Sequence, residues 1–292
     1  MRRVASLAAL AGAALLSAAL PAGAEPTLWV LRDADSTVTL LRSVHALPPG
    51  VTWRGPRVNA ALAEAEVIVF EFDQAPSAAA RGAAADRMAA LGRAELGAPL
   101  ASRLTREGRA RLSRQAQSLG FAPGALAGLR PWYALFLLDQ AAARRDGARL
   151  SLGVEAVLAA SAGPRRLEAL ERAEEVAAAL AAMPDAEALS AIEALLADLE
   201  RPNRRTREHA LERAWAQGRL GPVIAAVAEQ AERAPRLHAR LVTDRNRRWA
   251  AQVAALLARE EDVLVVVGAA HFVGPDGLPS LLRARGLPVQ GP

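Results

Sequence analysis

The C-terminal part of the chain contains an unbroken aliphatic run, residues 263–267, followed by Gly268-Ala-Ala-His271. Four of the five aliphatic residues are β-branched, which is typical of a strand buried on both faces of a sheet. Ligands of open α/β sheets lie outside the carboxyl ends of the strands. His271 is therefore a candidate for chemistry or metal binding. The alternative is a histidine at a strand-to-loop corner, held by a backbone carbonyl.

The N-terminal part shows two strand-like runs, residues 27–32 and 37–45, separated by a turn sequence, and this pattern predicts a hairpin. The second run ends in His45. Residues 67–73 form a further buried-type strand whose last residues include Glu71, and a carboxylate is costly to bury there unless it is paired or coordinated. Asp73 is expected to cap the following turn.

Residues 75–260 are predicted to be largely helical, with a core helix at 131–138 and a further helix at 244–258. Short helices are predicted at 57–65 and 278–285, and residues 287–289 are expected to add an edge strand.

Four polar residues in this region are candidates with a simpler alternative. Glu155 lies at a predicted loop-to-helix start, where a carboxylate favours the helix dipole. Glu171 lies in a glutamate-rich stretch that indicates an exposed helical face. Arg245 and Asn246 lie in the first turn of a helix, where they could face an anion or belong to a solvated cluster with Asp244 as the N-cap.

The predicted fold class is α/β (α+β), with a mixed central sheet formed by the N- and C-terminal segments and a large, mostly helical insertion at about 75–260. A single domain is expected at 25–292. The aromatic content of 4% argues against an aromatic nucleic-acid platform, and the basic residues, all arginines, are dispersed among glutamates. No nucleic-acid partner is therefore expected.

Residues 1–24 have the pattern of an export signal: Arg2 and Arg3, an apolar stretch from Leu7 to Leu20, and a small-residue cleavage site after Ala24. The apolar stretch is short for a membrane span. We therefore expect a cleaved signal peptide, a periplasmic or secreted protein, and no stable membrane span after cleavage; an uncleaved anchor is the alternative. The chain has no cysteine, which excludes disulfides and thiolate chemistry.

His45, Glu71 and His271 all lie at the ends of predicted strands, so their side chains can meet at one edge of the sheet. Two imidazoles and a carboxylate can bind a transition metal and leave a position for water. The same groups can act without a metal as a general base and an orienting acid. The spacing does not choose between these alternatives.

The chain resembles the TraB/GumN family, which includes the Tiki proteases and is more distantly similar to erythromycin esterases and the ChaN haem-binding lipoprotein. Gly268-Ala-Ala-His271 matches one of the two Gly-x-x-His motifs of the family, and Glu71 matches a glutamate that closes an early strand. The other matches are Glu155 in a Gly-x-Asp/Glu segment, Leu170-Glu171 with Glu174-Glu175, and the pair Arg245-Asn246.

The first Gly-x-x-His motif departs from the family, because Arg42 replaces the glycine in Arg42-Ser-Val-His45. Alternation along the strand directs Arg42 away from His45. If the side chain bends into the pocket instead, its charge would oppose a divalent cation and pair with Glu71.

The resemblance implies a metal-dependent peptidase with Mn²⁺, Co²⁺ or Zn²⁺ as the divalent transition metal, bound by His45, Glu71 and His271. On this hypothesis Glu155 or Glu171 accepts a proton from water, and Arg245 or Asn246 stabilises the oxyanion. The substrate would be a peptide or a small molecule. One alternative is a metal-independent esterase with His45 as the general base, oriented by Glu71. The other is a non-catalytic periplasmic ligand-binding scaffold with a degenerate site.

Overall fold

The structure, a computed structural model, describes residues 25–73, 78–94 and 97–292. Its centre is a mixed five-stranded sheet. The strands are β1 (Leu28–Arg32), β2 (Thr37–Ser43), β3 (Val67–Phe72), β4 (Arg166–Glu171) and β5 (Val263–Gly268), in the spatial order β1-β2-β5-β3-β4. β1 pairs with β2 in the antiparallel direction, and all other neighbours are parallel. The α/β class and the mixed sheet built from both ends of the chain are confirmed.

Helices cover both faces of the sheet and form most of the segment between β3 and β5. They are α1 (Pro56–Glu64), α2 (Ala78–Gly92), α3 (Arg106–Ser118), α4 (Pro131–Arg145), α5 (Val154–Ala160), α6 (Ala173–Ala181), α7 (Asp185–Leu199), α8 (Arg204–Ala216), α9 (Leu220–Arg233), α10 (Pro235–His238), α11 (Asp244–Leu257) and α12 (Leu278–Ala284). A π-helical turn, Ala239–Thr243, leads directly into α11, and a 3-10 turn, Ala269–Phe272, follows β5.

The two faces of the sheet have separate apolar cores. On one face Leu41, Phe70 and Val266 pack against α1, α5, α8 and α9. On the other face Val67 and Val265 pack against α11 and α12. All residues of β5 are buried, because helices cover this central parallel strand on both sides. The continuous aliphatic run of this strand is the sequence signal for that position.

Two predicted elements differ from the structure. Residues 166–171 form β4 rather than a helix, because pairing with β3 supplies the backbone hydrogen bonds of an edge strand whose outer positions carry charges. Residues 287–289 do not form a strand; the chain there makes only the isolated bridge between Val30 and Gln290.

The predicted hairpin, the core helix at 131–138 and the helix beginning at Asp244 are confirmed. The predicted signal peptide, residues 1–24, lies outside the described residues. None of the helices in the described part of the chain is long and apolar enough to cross a membrane.

Candidate active site

The carboxyl ends of β2, β3, β4 and β5 lie at the same edge of the sheet, and they bring the predicted polar residues together. Glu71 lies in β3 and Glu171 ends β4, whereas His45 and His271 follow β2 and β5. Glu71, Glu171 and His271 are buried, and half of the His45 side chain is exposed. The site thus has a buried floor and one histidine that reaches solvent.

Glu71 is the centre of this cluster. Its Oε1 accepts a hydrogen bond from the backbone N–H of Gly268 at 2.5 Å, and its Oε2 pairs with Nη2 of Arg245 at 2.9 Å. Oε1 also lies 3.8 Å from Nε2 of His45 and 3.6 Å from Nε2 of His271. Burial alone would raise the pKa of Glu71, but His271, His45 and Arg245 and the Gly268 N–H lower it to about 2. The carboxylate is therefore ionised at neutral pH.

Gly268 is required for this convergence. A Cβ atom at this position would lie 2.9 Å from Oε1 of Glu71 and 3.3 Å from Nε2 of His45. Any side chain here would displace the carboxylate from the two imidazoles. The glycine of the second Gly-x-x-His motif is thus explained by close packing under the site.

The tautomer of His271 is fixed by Asn246. The Nδ2 of Asn246 donates hydrogen bonds to the carbonyl oxygens of His271, at 3.2 Å, and Asp276, at 2.8 Å. This orientation directs Oδ1 of Asn246 at Nδ1 of His271, 2.6 Å away, so Nδ1 carries the proton. Nε2 therefore keeps its lone pair towards Glu71. Burial and the charge of Arg245 outweigh the opposing effect of the Glu71 carboxylate and lower the pKa of His271 to about 4.

His45 has a different partner. Its Nδ1 lies 2.8 Å from Oε1 of Glu155, and the same oxygen accepts a hydrogen bond from the hydroxyl of Ser43. Burial opposes protonation of His45, but the charge and hydrogen bond of Glu155 and the charge of Glu71 raise its pKa to about 9. His45 is therefore an imidazolium at neutral pH, and Glu155 rather than Glu71 orients its ring.

The approach of α5 to the end of β2 places Glu155 beside His45. The backbone N–H of Val154 donates to the carbonyl of Val44 at 3.1 Å. A Cβ atom on Gly153 would lie 2.0 Å from the carbonyl oxygen of His45, so only glycine permits this approach. Glu155 lies in the first turn of α5, as predicted.

Glu171 and Arg245 form a buried ion pair, which corrects the prediction that Glu171 lies on an exposed helical face. Nε of Arg245 donates to Oε1 of Glu171 at 2.6 Å, and Nη1 donates to the carbonyl of Leu241. Since Nη2 contacts both Glu71 and Glu171, all nitrogens of Arg245 have partners. The guanidinium also lies 4.4 Å from the ring centroid of Trp249. Arg245 holds the two carboxylates in place.

Arg42 points away from His45, as strand alternation predicts. Its Nη2 donates to Oγ1 of Thr27 at 3.3 Å, and its side chain is 1% exposed. It does not pair with Glu71. The site is therefore not filled by the arginine that replaces the family glycine.

The described residues do not form a metal site as they are arranged. No group of three or more His, Cys, Asp or Glu side chains within 25–73, 78–94 and 97–292 could hold a metal ion. Both oxygens of Glu71 already have partners, and one of these is the cation Arg245. The arrangement instead places two histidines of opposite protonation state around one ionised carboxylate.

Two further residues contribute to the site and were not predicted as members. Ser43 contacts Glu155, and its place on the same strand face as His45 was an available signal. Trp249 lies against His271, with ring centroids 4.5 Å apart. Its spacing of four residues from Arg245 places both on one face of α11, but the sequence does not distinguish this contact from ordinary core packing.

A mixed sheet with histidines and glutamates at the carboxyl ends of its parallel strands defines an α/β protein with a candidate acid–base centre. The model of the TraB/PrgY/gumN family matches residues 27–291, and the chain belongs to this family. No curated protein and no solved structure shows significant similarity to the chain.

Proposed function

We propose that the protein is a hydrolase in which His271 acts as the general base and His45 as the general acid. The observation that carries this proposal is that Nε2 of each ring faces the same Glu71 oxygen, while different partners hold the two Nδ1 atoms. Neighbouring titratable groups whose pKa values are driven apart are typical of acid–base catalysis. The proposed substrates are esters or peptides.

His271 is suited to the role of base. Its Nδ1–H is held by Asn246, so the lone pair on Nε2 can accept a proton from water as the water oxygen attacks the carbonyl carbon. Because its pKa is lowered to about 4, the ring is neutral at neutral pH and can accept a proton.

His45 is suited to the role of acid. Glu155 holds Nδ1–H, and the raised pKa keeps a proton on Nε2. That proton would pass to the leaving oxygen or nitrogen as its bond to the carbonyl carbon breaks. Glu71 stays ionised beside both rings and stabilises the His45 imidazolium. In this assignment Glu155, Glu171, Arg245 and Asn246 position the catalytic groups.

The test is a screen of p-nitrophenyl esters and unstructured polypeptides with purified protein, followed by His45→Ala and His271→Ala in the active assay. Each substitution should lower kcat by about 10²-fold or more. His209→Ala is the matched control, because His209 lies on α8 and its Nε2 is 3.2 Å from the backbone carbonyl oxygen of Asp146. Inactivity of the wild type on both substrate classes, or full activity of either site variant, would contradict the proposal and favour a non-catalytic scaffold.

A metal-dependent hydrolase is the second candidate. The observation that favours it is that each Nδ1 is held by an oxygen acceptor, as is usual for metal-ligating histidines, while both Nε2 atoms face a carboxylate oxygen. His45, Glu71 and His271 would hold the ion after a rearrangement that frees an oxygen of Glu71 from Gly268 or Arg245, and the ion would supply an activated water. Elemental analysis of the untreated wild type and His271→Ala, together with an activity assay in chelator, separates the candidates. One equivalent of metal, lost in the variant together with activity, would favour the metal; unchanged activity in chelator would favour the histidine pair.

Export to the periplasm or the exterior is also part of the proposal, and the pattern of residues 1–24 supports it. Mass spectrometry of the protein from the expressing cell should give a mature chain that begins at Glu25. A mature chain that retains Arg2 and Arg3 would contradict cleavage.

A further inference from the structure

A cavity lies beside β2, on the opposite side of this strand from Ser43 and Glu155. Its volume is about 320 Å³, which lies within the range of small-molecule sites, ~300–1,000 Å³. Its walls include Trp29 and Phe272, whose rings stack at a centroid distance of 4.7 Å. An apolar group could lie against this aromatic pair.

Arg42 also lines this cavity, and its charge has no ionic partner among residues 25–73, 78–94 and 97–292. The side chain is 1% exposed, and its Nε is buried without a hydrogen-bond partner from any residue that the structure describes. Within the described parts of the chain its side chain donates only to the hydroxyl of Thr27, and that hydroxyl itself donates to the carbonyl of Gly218. A buried cation without a counter-ion is costly. An anion in the adjoining cavity would offset this cost.

A second arginine lies at the edge of the same cavity. Arg283 is exposed, and its Nε and Nη2 donate to backbone carbonyls of Val289 and Gly291, which hold the side chain beside the cavity. The cavity therefore joins one buried guanidinium, one exposed guanidinium and an aromatic wall. Guanidinium groups bind carboxylates through paired, charge-assisted hydrogen bonds.

We propose that this cavity binds a small organic carboxylate with an apolar body, its head group beside Arg42 and its body against Trp29 and Phe272. The site is separate from the histidine pair. Burial lowers the pKa of Arg42 to about 10, and a bound carboxylate would restore the preference for the charged guanidinium.

The experiment uses calorimetric titration of the full chain with octanoate and with 1-octanol, which has the same number of carbon atoms but no charge. Octanoate should bind saturably, and octanol at least about tenfold more weakly. Arg42→Met should weaken octanoate binding about tenfold or more. Arg285→Met is the matched control, because Arg285 lies just beyond the end of α12 and does not line the cavity. His271→Ala should bind octanoate like the wild type.

A thermal-shift measurement guards against a folding artefact. Arg42→Met removes an uncompensated buried charge and keeps an apolar chain of similar length, so without ligand it should melt no lower than the wild type. Octanoate should raise the melting temperature of the wild type and not that of this variant. Arg283→Met, which alters only the edge of the cavity, should bind octanoate several-fold more weakly. The absence of octanoate binding to the wild type, equal affinity for octanol, or unchanged affinity in Arg42→Met would overturn the proposal.

Discussion

The surroundings of the two histidines differ although both rings face the same carboxylate. His45 follows β2, is half exposed and contacts the charged Glu155 through Nδ1. His271 follows β5, is buried against Trp249 and contacts the neutral amide of Asn246 through Nδ1. The first environment raises the pKa and the second lowers it. The charge of the Nδ1 partner and the exposure of the ring, rather than the shared Glu71, thus separate their roles.

The largest expected loss of stability comes from removing the guanidinium of Arg245, which pairs with Glu71 and Glu171. Arg245→Met would leave Glu71 and Glu171 buried without their common partner. The free energy of unfolding should fall by about 3–5 kcal/mol. Chemical denaturation measures this loss. Arg248→Met is the control, because the Arg248 side chain is exposed and its Nη2 lies 3.5 Å from Oε2 of Glu171. Equal losses in the two variants would show that the buried pairing is not important.

A smaller loss of stability is expected at Gly268, which lies beside the Glu71 oxygen that both histidine rings face. In Gly268→Ala the new Cβ atom would lie 2.9 Å from Oε1 of Glu71 and 3.3 Å from Nε2 of His45. Crowding of this kind costs about 1–3 kcal/mol and should displace Glu71 from both histidines. Gly221→Ala is the control, since its Cβ would meet nothing within 4 Å. If Gly268→Ala matches that control in stability and in hydrolysis, close packing at Gly268 does not hold Glu71 in place.

Features that depend on residues close together in the sequence were predictable. The aliphatic run of β5 predicted a buried strand that places His271 at the site, and alternation predicted the direction of Arg42. These features depend on neighbours along the chain.

Other features depend on pairing across the fold and were not predictable from periodicity. Glu171 lies in a charge-rich segment whose pattern fits a helix or an edge strand. The pairing with β3 makes this segment a strand, and the contact with Arg245 places Glu171 in the site. The resemblance matched Glu155 and Asn246 as site residues but did not give their partners. Glu155 lies in α5 and Asn246 in α11, whereas the histidines that they contact follow β2 and β5.

Exchanging the Nδ1 partners should reduce the difference between the two histidines. Asn246→Asp gives His271 a carboxylate neighbour, so its pKa should rise from about 4 towards the ordinary value. Glu155→Gln gives His45 an amide neighbour, so its pKa should fall from about 9. NMR titration of the four histidines measures both, with His209 and His238 as internal references. Unchanged values in both variants would mean that ring exposure alone sets the pKa.

The smallest expected effect is on the pH dependence of stability, and its sign differs for the two rings. The pKa of His45 rises from 6.5 to about 9 on folding, so its contribution is fully present below pH 6.5 and is lost as the pH rises through 9. The pKa of His271 falls to about 4, so its contribution is fully present above pH 6.5 and is lost as the pH falls through 4. The groups that face His45 are Glu155, Glu71 and Arg245.

Denaturation of Glu155→Gln and the wild type between pH 6.5 and 9 isolates the His45 contribution. The stability advantage of the wild type should shrink as the pH rises, by less than about 1 kcal/mol, because water screens a half-exposed ring. Asn246→Asp should instead alter the profile between pH 6.5 and 4, where His271 takes up its proton. A change between pH 4 and 6.5 in Glu155→Gln, together with a change between pH 6.5 and 9 in Asn246→Asp, would reverse the assignment of acid and base.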